Sequence, residues 1–433
     1  MTPQTSFMVL AAITPEREAE LRELLDSMNN APGRVNPNNA LIAFAEFSMI
    51  HVARLLVLKD NSLDDIKVYG LPRRDYPLYL AFLGNIDGER DAFYEELARR
   101  APNGLRALFS CCEGFTSETP LVEWMKKHSR SSIAGYTNWM GRTVTRVREE
   151  ANLHESIDRY LQSNAPSFAS LQAQEVHTAV QSFVAGERAA GRLELSAETP
   201  TPLGWRLRNL LHKVGLPLLA LLLLPILIPV GLIFAVRLRR LEKTDPELCF
   251  RIDQEYSDAL ARLEDHDVTN QFTAMGSLKP GTVRLWTATA VLRTVDYAAR
   301  HIFNRGRLAR IRTIHFARWV FLDDKKRMVF FSDYDGSFES YMDDFINKSG
   351  FGLNVVFSNG IGYPRTNWLI FDGCADELKY KEFLRRHTLP TQVWYKAYPG
   401  LTAADLERNT RIRRGLESSR LNDAEARAWV GLL

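Results

Sequence analysis

The sequence is poor in the features that assign most chains to a class. Its 433 residues include four cysteines, Cys111, Cys112, Cys249 and Cys374. None forms a Cys-x-x-Cys pair, so neither a zinc site nor a disulfide framework is implied, and a reduced, cytoplasmic setting is the default. Neither sign of charge dominates: 55 basic residues face 52 acidic ones, net +3. That is too little to mark a nucleic-acid binder. No P-loop, Rossmann fingerprint, G-x-S-x-G elbow, H-E-x-x-H helix or EF-hand occurs, which removes support for kinase, dehydrogenase, α/β-hydrolase and zincin chemistry. The opening residues, MTPQTSFMVLAAITPERE, lack the basic region and long apolar core of a signal peptide. What is present is an ordinary globular composition, 45% hydrophobic and 25% charged, on a length that suits two or three domains.

One run stands apart. Val214–Val236 carries no charge; as a helix it would measure about 34 Å, against a hydrocarbon core of about 30 Å. Trp205, Arg206, Arg208, His212 and Lys213 precede it, and Arg237, Arg239, Arg240 and Lys243 follow, which suits the headgroup zone. Pro217, Pro225 and Pro229 disfavour one straight helix, and the similar basic flanks give no orientation. A hairpin entering and leaving on one side, with Pro225–Gly231 at its turn, accounts for both. It puts Met1 and Leu433 on the same side, at the cytoplasmic face of a bacterial inner membrane. The partners expected are membrane lipid and a lipophilic small molecule, with no nucleic acid; self-association is left open.

The chain also contains a duplication. Leu83–Phe115 aligns without gaps on Phe331–Tyr363, sharing D-G-x-x-[DE]-x-[FY]-x-[DE]-[DE]-[LF] and then G-L-x-x-x-F-S-x-x-x-G-[FY]. Ile50–Arg54 matches Ile314–Arg318, Phe7–Pro15 matches Phe272–Pro280, and Glu123–Ser129 matches Glu382–Thr388. Four blocks in one order indicate a repeat. In the first copy the pattern predicts strands at Phe7–Ile13, Ala43–Val57, Leu78–Gly84 and Leu105–Ser110, with helices at Glu16–Met28 and Glu89–Arg100. The second copy repeats this, with a longer first helix at Val283–Phe303 and a closing strand at Leu353–Ser358. The order β-α-β-β-α-β is ferredoxin-like. The expected fold class is therefore α+β: tandem ferredoxin-like repeats paired face to face as a pseudo-symmetric barrel or sandwich. The expected boundaries are 1–150 for the first repeat, 151–213 for a helical linker, 214–236 for the membrane segment, 237–270 for a connector and 271–433 for the second repeat.

The stretches Ile314-His315-Phe316-Ala317-Arg318-Trp319, Phe331-Ser332-Asp333-Tyr334-Asp335-Gly336-Ser337 and Pro390-Thr391-Gln392-Val393-Trp394-Tyr395 resemble a family of uncharacterised bacterial proteins. More distantly the chain resembles the dimeric α+β-barrel group, which includes dye-decolourising peroxidases, chlorite dismutases and cofactor-free monooxygenases. Gly84-Asn85-Ile86-Asp87-Gly88 fits the G-x-x-D-G pattern of dye-decolourising peroxidases. The resemblance implies a peroxide-cleaving role for Asp87, and by repeat for Asp335, with haem as cofactor. No distal Arg or proximal His can be placed by motif. The competing reading is a turn in which Asp87 and Asp335 cap the following helix.

His51 and His315 occupy equivalent places in a central strand. Strict alternation puts His315, Ala317, Trp319 and Phe321 on one face and Ile314, Phe316, Arg318 and Val320 on the other, with the same split around His51 and Arg54. The imidazoles suit a haem ligand, general base or substrate donor, or else a hydrogen-bonded core residue. A buried Arg needs a partner; Glu95, Glu96, Asp343 and Asp344 are the candidates. Glu264-Asp265-His266-Asp267 reads as a solvated turn, and His128 and His387 as carbonyl-facing residues in basic helix turns. The function expected is a membrane-associated protein that binds, and as an enzyme would oxidise, a lipophilic molecule between its two units. The alternative is a non-catalytic accessory that binds a protein partner.

Overall fold

In the computed structural model, residues 2–250, 253–418 and 420–433 are described; Met1 and positions 251–252 of the expected connector lie outside them. The first half supplies strands β1 (Gln4–Ala12), β2 (Ile50–Leu58), β3 (Tyr79–Asp87) and β4 (Ala134–Thr137). The second supplies β5 (Thr269–Ser277), β6 (Ile314–Leu322), β7 (Arg327–Asp335) and β8 (Val393–Lys396). They build two antiparallel sheets with corresponding orders, β1-β3-β2-β8 and β5-β7-β6-β4. The fourth strand of each sheet thus comes from the other half: Val393 pairs with Leu55, and Ala134 with Trp319. The two sheets remain separate, and no closed barrel forms.

The closing strands expected at Leu105–Ser110 and Leu353–Ser358 are helical. They fall in or at the end of α3 and α10 of the set α1 (Glu18–Ser27), α2 (Arg90–Arg100), α3 (Pro102–Phe109), α4 (Leu121–Lys127), α5 (Val144–Ser163), α6 (Ala173–Ala189), α7 (Leu203–Leu222), α8 (Leu224–Thr244), α9 (Thr282–His301), α10 (Phe338–Phe357), α11 (Glu377–His387), α12 (Ala403–Glu417) and α13 (Asp423–Val430). The reason is visible in the spacing. Leu105, Leu108 and Phe109, like Leu353, Val356 and Phe357, recur at i, i+3 and i+4, which buries one face of a helix. Pro102 opens α3 at its first turn, where its missing N–H costs nothing.

Each sheet carries helices on its outer face. Leu21, Phe93, Leu105 and Trp124 pack on Phe7, Leu55 and Phe82, while Leu292, Tyr341 and Phe383 belong to the matching core that contains Phe272, Trp319 and Phe330. The inner faces meet each other: Met8, Leu10, Leu56 and Leu83 lie against Met275, Val320, Val329 and Phe331, all buried. Apolar area removed from water in this way is worth about 25 cal/mol per Å². A fourth core joins α5 and α6 to α12 and α13 through Leu153, Ile157, Val180, Val184, Ile412 and Trp429. The expected linker is therefore packed on the C-terminal helices.

The apolar run is bent. Among the described residues no single helix is long and apolar enough to cross a bilayer; α7 and α8 meet at 78°. The break falls at Leu223, two residues before Pro225, so the turn lies ahead of the expected Pro225–Gly231, and Pro229 sits inside α8. A proline in the first turn of a helix is tolerated, which is why Pro225 starts α8 rather than forming the loop. No large apolar side chain from Val214 to Val236 is buried; Leu222 is 77% exposed.

Candidate functional site

The four residues singled out by sequence lie in two matching clusters where a central strand meets its hairpin partner. In β2 and β3, Ile50 pairs with Ile86 but Val52 pairs with Asn85. In β6 and β7, Ile314 pairs with Tyr334 and Phe316 with Asp333. His51 and His315 are thus each the extra residue of a β-bulge, a device that re-aims a side chain. The bulge also shifts the face assignment predicted by alternation. Ile50 and Ile314 join the outer cores that hold Ala53 and Ala317, and the His51 ring sits 5.6 Å from Phe316 of the opposite sheet.

Both imidazoles are buried and tied to the expected aspartates. His51 Nε2 lies 3.1 Å from Asp87 Oδ1, and His315 Nε2 lies 2.6 Å from Asp335 Oδ1. The Tyr398 hydroxyl is 3.1 Å from His51 Nδ1. Burial raises the pKa of that phenol, so Tyr398 keeps its proton beside Nδ1, and Gln4 Nε2 lies 3.2 Å from Nε2 on the side of Asp87. The second oxygen of each carboxylate accepts a backbone N–H: Asp87 Oδ2 from Val144 at 2.8 Å, Asp335 Oδ2 from Ala403 at 2.7 Å. These are the first residues of α5 and α12. Capping is therefore real, but of distant helices. The helices that directly follow the aspartates start at Arg90, with no side-chain cap, and at Phe338, capped by Ser337.

Further partners escaped the sequence reading. Thr143 and Thr402 cap α5 and α12 with their own hydroxyls. Gln4 Nε2 donates to the Arg142 carbonyl, and Thr269 Oγ1, at the equivalent place in β5, lies 3.4 Å from the Leu401 carbonyl. The signal was available: Tyr136, Gly141 and Thr143 align on Tyr395, Gly400 and Thr402. Lys396 donates to Thr269 and to Leu401 in the second cluster, and burial pushes its amine down to about 8.

The peroxidase-like motif has a packing explanation. A Cβ on Gly84 would lie 2.3 Å from the Val52 carbonyl oxygen and 2.7 Å from the Phe7 ring, and Gly88 has φ +89°, a conformation that favours glycine. The geometry does not fit haem. Both imidazoles face carboxylates through Nε2 and are about 2% exposed, His51 Nδ1 faces Tyr398, and each aspartate has both oxygens occupied. Among the described residues no group of three or more His, Cys, Asp or Glu is arranged to hold a metal ion.

Between the sheets lies a second constellation. Arg54 crosses to the opposite sheet and donates to the Phe272 and Ser332 carbonyls, Thr273 Oγ1 and the Asp333 carboxylate. Arg318 makes the reciprocal crossing to the Phe7 and Gly84 carbonyls at 2.7 Å and to Asn85 Oδ1. The expected partners Glu95, Glu96, Asp343 and Asp344 take no part: they lie on α2 and α10, on the outer faces. Asp333 and Asn85 are equivalent in the repeat, so two guanidinium groups share one carboxylate. Burial pushes Arg318 down to about 10, which leaves it charged at neutral pH, and burial raises the Asp333 carboxyl against the pull of Arg54 and Arg318. The space left here is about 10 Å³, room for one water at most. The interior between the sheets is filled by side chains and holds no ligand-sized cavity at this point.

The remaining candidates resolve simply. Glu264 is half-buried rather than solvated, with both carboxylate oxygens 3.0 Å from Arg385 Nη1. His128 and His387 each turn Nδ1 to a carbonyl one helical turn back, at 2.9 and 2.7 Å. Comparison with family models, curated proteins and solved structures finds no match.

Asp335 gives a direct test. Burial raises its pKa, but the His315 charge, its hydrogen bond and the Ala403 and Thr269 donors outweigh that and hold it below the usual carboxylate range. A carboxylate whose folded pKa is depressed adds stability above its unfolded pKa of about 3.9 and loses it as pH falls through the lower folded value. Asp335→Asn is expected to cost about 1–3 kcal/mol at pH 7 and clearly less at pH 3. Denaturant titrations at both pH values measure this; an equal loss at the two would contradict the charged latch.

Proposed function

We propose that this chain is a monotopic membrane-surface protein, built from a duplicated ferredoxin-like unit, that holds a lipophilic small molecule between its halves at the bilayer. The observation that carries this reading is the bent pair α7–α8. A helix that is apolar all round needs a buried or lipid setting, and no protein surface covers this one. The uncharged arms, 214–222 and 224–236, reach about 13 Å and 20 Å at 1.5 Å per residue, so each can enter the bilayer and neither spans its hydrocarbon core of about 30 Å.

Both feet return to the same body. Tyr297 Oη donates to the His212 carbonyl at 2.8 Å, and His301 Nδ1 meets Asn209 Oδ1 at 2.7 Å. At the other foot Glu242 is 1% exposed and accepts Thr366 Oγ1 and the Trp368 and Leu369 amides. That last contact pins a small hairpin, Thr366–Asn367 with Phe371–Asp372, whose Trp368 and Phe371 are 50% and 58% exposed. Aromatic side chains beside basic residues suit the headgroup layer. Four free thiols suit a reducing compartment, hence the cytoplasmic face.

A second reading, a non-catalytic accessory that binds a protein partner, draws on one specific observation. His51, His315, Asp87 and Asp335 all hold helix starts in place and face no open site. Membrane retention tests the main reading. The protein is expected to stay with membranes through a high-salt wash, to leave with detergent, and to carry reporters at its two ends on the same side. Intact protein in the soluble fraction without detergent, or opposite labelling of the ends, overturns it.

A further inference from the structure

A cavity of about 370 Å³ opens where the two halves meet, within the size range of small-molecule sites. The excursion between β2 and β3 forms one wall with Leu63, Ile66 and Leu71; the end of β5 and the start of α9 form the other with Leu278, Pro280 and Leu285. These walls are apolar, but the rim is not. Arg74, Lys325, Lys326 and Lys279 line it with a single carboxylate, Asp324. Among the described residues Arg74, Lys325 and Lys326 make no ion pair.

Lys279 is the built part of the site. It is 6% exposed, and its Nζ lies 2.8 Å from Asp245 Oδ2. The same oxygen accepts Arg284 Nη2; Glu242 also acts on Lys279 but pairs with Arg239, so the two carboxylates face three cations. Arg284 is 2% exposed, and its Nε and Nη1 find no acceptor among the described residues. A buried cation surplus with unused donors favours an anion. The N-terminus of α9 adds to it: Thr282 lines the cavity, and no side chain caps the helix at Gly281. Free N–H groups at a 20-residue helix start attract negative charge. The place in the fold also matters. Asp245 directly follows α8, so the cavity sits at the foot of the bent pair, and Leu71 at its mouth is 40% exposed.

We propose that this cavity binds a single-chain amphiphile with an anionic head, a carboxylate or a phosphate monoester, its head at Lys279 and the start of α9 and its tail against Leu63, Ile66 and Leu71. The assignment rests on the membrane-surface reading and gives the lipophilic ligand a site and a charge. The full chain in non-ionic detergent micelles is titrated with cis-parinaric acid, a fluorescent fatty acid, and with its methyl ester. Lysophosphatidic acid and inorganic phosphate serve as competitors. Saturable one-to-one binding is expected, at least tenfold tighter for the acid than for the ester. Displacement by lysophosphatidic acid shows that the phosphate monoester head is also accepted; its failure to displace narrows the head to a carboxylate, and displacement by phosphate alone overturns the need for a tail.

Leu278→Trp, which fills the cavity, is expected to abolish binding. The rim variant Arg74→Ser/Lys325→Ser/Lys326→Ser alters exposed positions and is expected to weaken the acid at least tenfold while leaving the melting temperature in place. Equal affinity for acid and ester, or unchanged binding in the rim variant, overturns the proposal. Micelle binding and membrane retention fail separately: protein that stays with membranes but binds no parinarate refutes only the cavity, and protein that binds but washes off refutes the membrane reading.

Discussion

Asp333→Ala is expected to be the most damaging single substitution in the chain, costing about 3–5 kcal/mol, the loss typical when one partner of a buried ion pair is removed. Among the described residues Asp333 is the carboxylate that compensates Arg54 and Arg318 between the sheets. Without it two guanidinium groups remain in an interior whose free space, about 10 Å³, admits one water at most beyond what the lost carboxylate vacates. Neither Arg can relieve the strain by deprotonating at neutral pH. Asp333→Asn keeps a hydrogen-bond acceptor but not the charge, so it is expected to destabilise as well, by less. Asn85→Asp gives each Arg its own carboxylate and is expected to raise the melting temperature. Thermal and denaturant melts of the three variants decide the matter. A melting temperature within about 2 °C of the parent for Asp333→Ala would show that the charge at the centre is compensated elsewhere.

Leu219→Glu with Leu227→Glu is expected to release the protein from membranes without unfolding it. Both leucines are exposed, at 51% and 46%, one on each arm of the bent pair, so no packing is lost. Inserting an acidic side chain into hydrocarbon costs about 2.5–3.5 kcal/mol; two such residues lower retention by at least about a hundredfold at 1.4 kcal/mol per factor of ten. Fractionation together with a melting curve reads both quantities. Continued retention would place the contact with lipid elsewhere, and a collapsed melting curve would mean that the leucines pack against protein.

What could be read from the sequence was what repeats or alternates. The aligned blocks place β2, β3 and α2 beside β6, β7 and α10 in corresponding positions, because the pattern of apolar positions reports which face is buried. The exchange of β4 and β8 could not be read that way. Ala134–Thr137 and Val393–Lys396 lie outside every strand expected from the pattern, because four residues are too few to display an alternation. The two turns of helix taken for strands at Leu105 and Leu353 are apolar runs too short for periodicity alone to separate the alternatives. The site was legible in its residues and illegible in its direction. His51–Asp87 and His315–Asp335 do meet, yet each histidine is a bulge, and one inserted residue reverses the face that alternation assigns. The partners of Arg54 and Arg318 lie across a sheet interface, at a sequence distance no local pattern spans. The aligned Gly-x-Thr at Gly141 and Gly400 would have revealed the caps.

The exchange of edge strands sets the order in which the chain can be completed during synthesis. The N-terminal sheet needs Val393–Lys396 along β2, a partner that leaves the ribosome only after the apolar run and nearly all of the second half. Until then the backbone donors and acceptors of one side of β2 stay unpaired, and an open strand edge invites pairing with other chains. Closing so long a loop is also slow, since non-local pairing must meet the loop entropy before any contact rewards it. On the membrane-surface reading proposed above, the apolar run would meet lipid before the body that carries it is finished, and the nascent N-terminal half would wait there for its last strand. A chain truncated before Val393 leaves behind an aggregation-prone edge rather than a smaller folded protein.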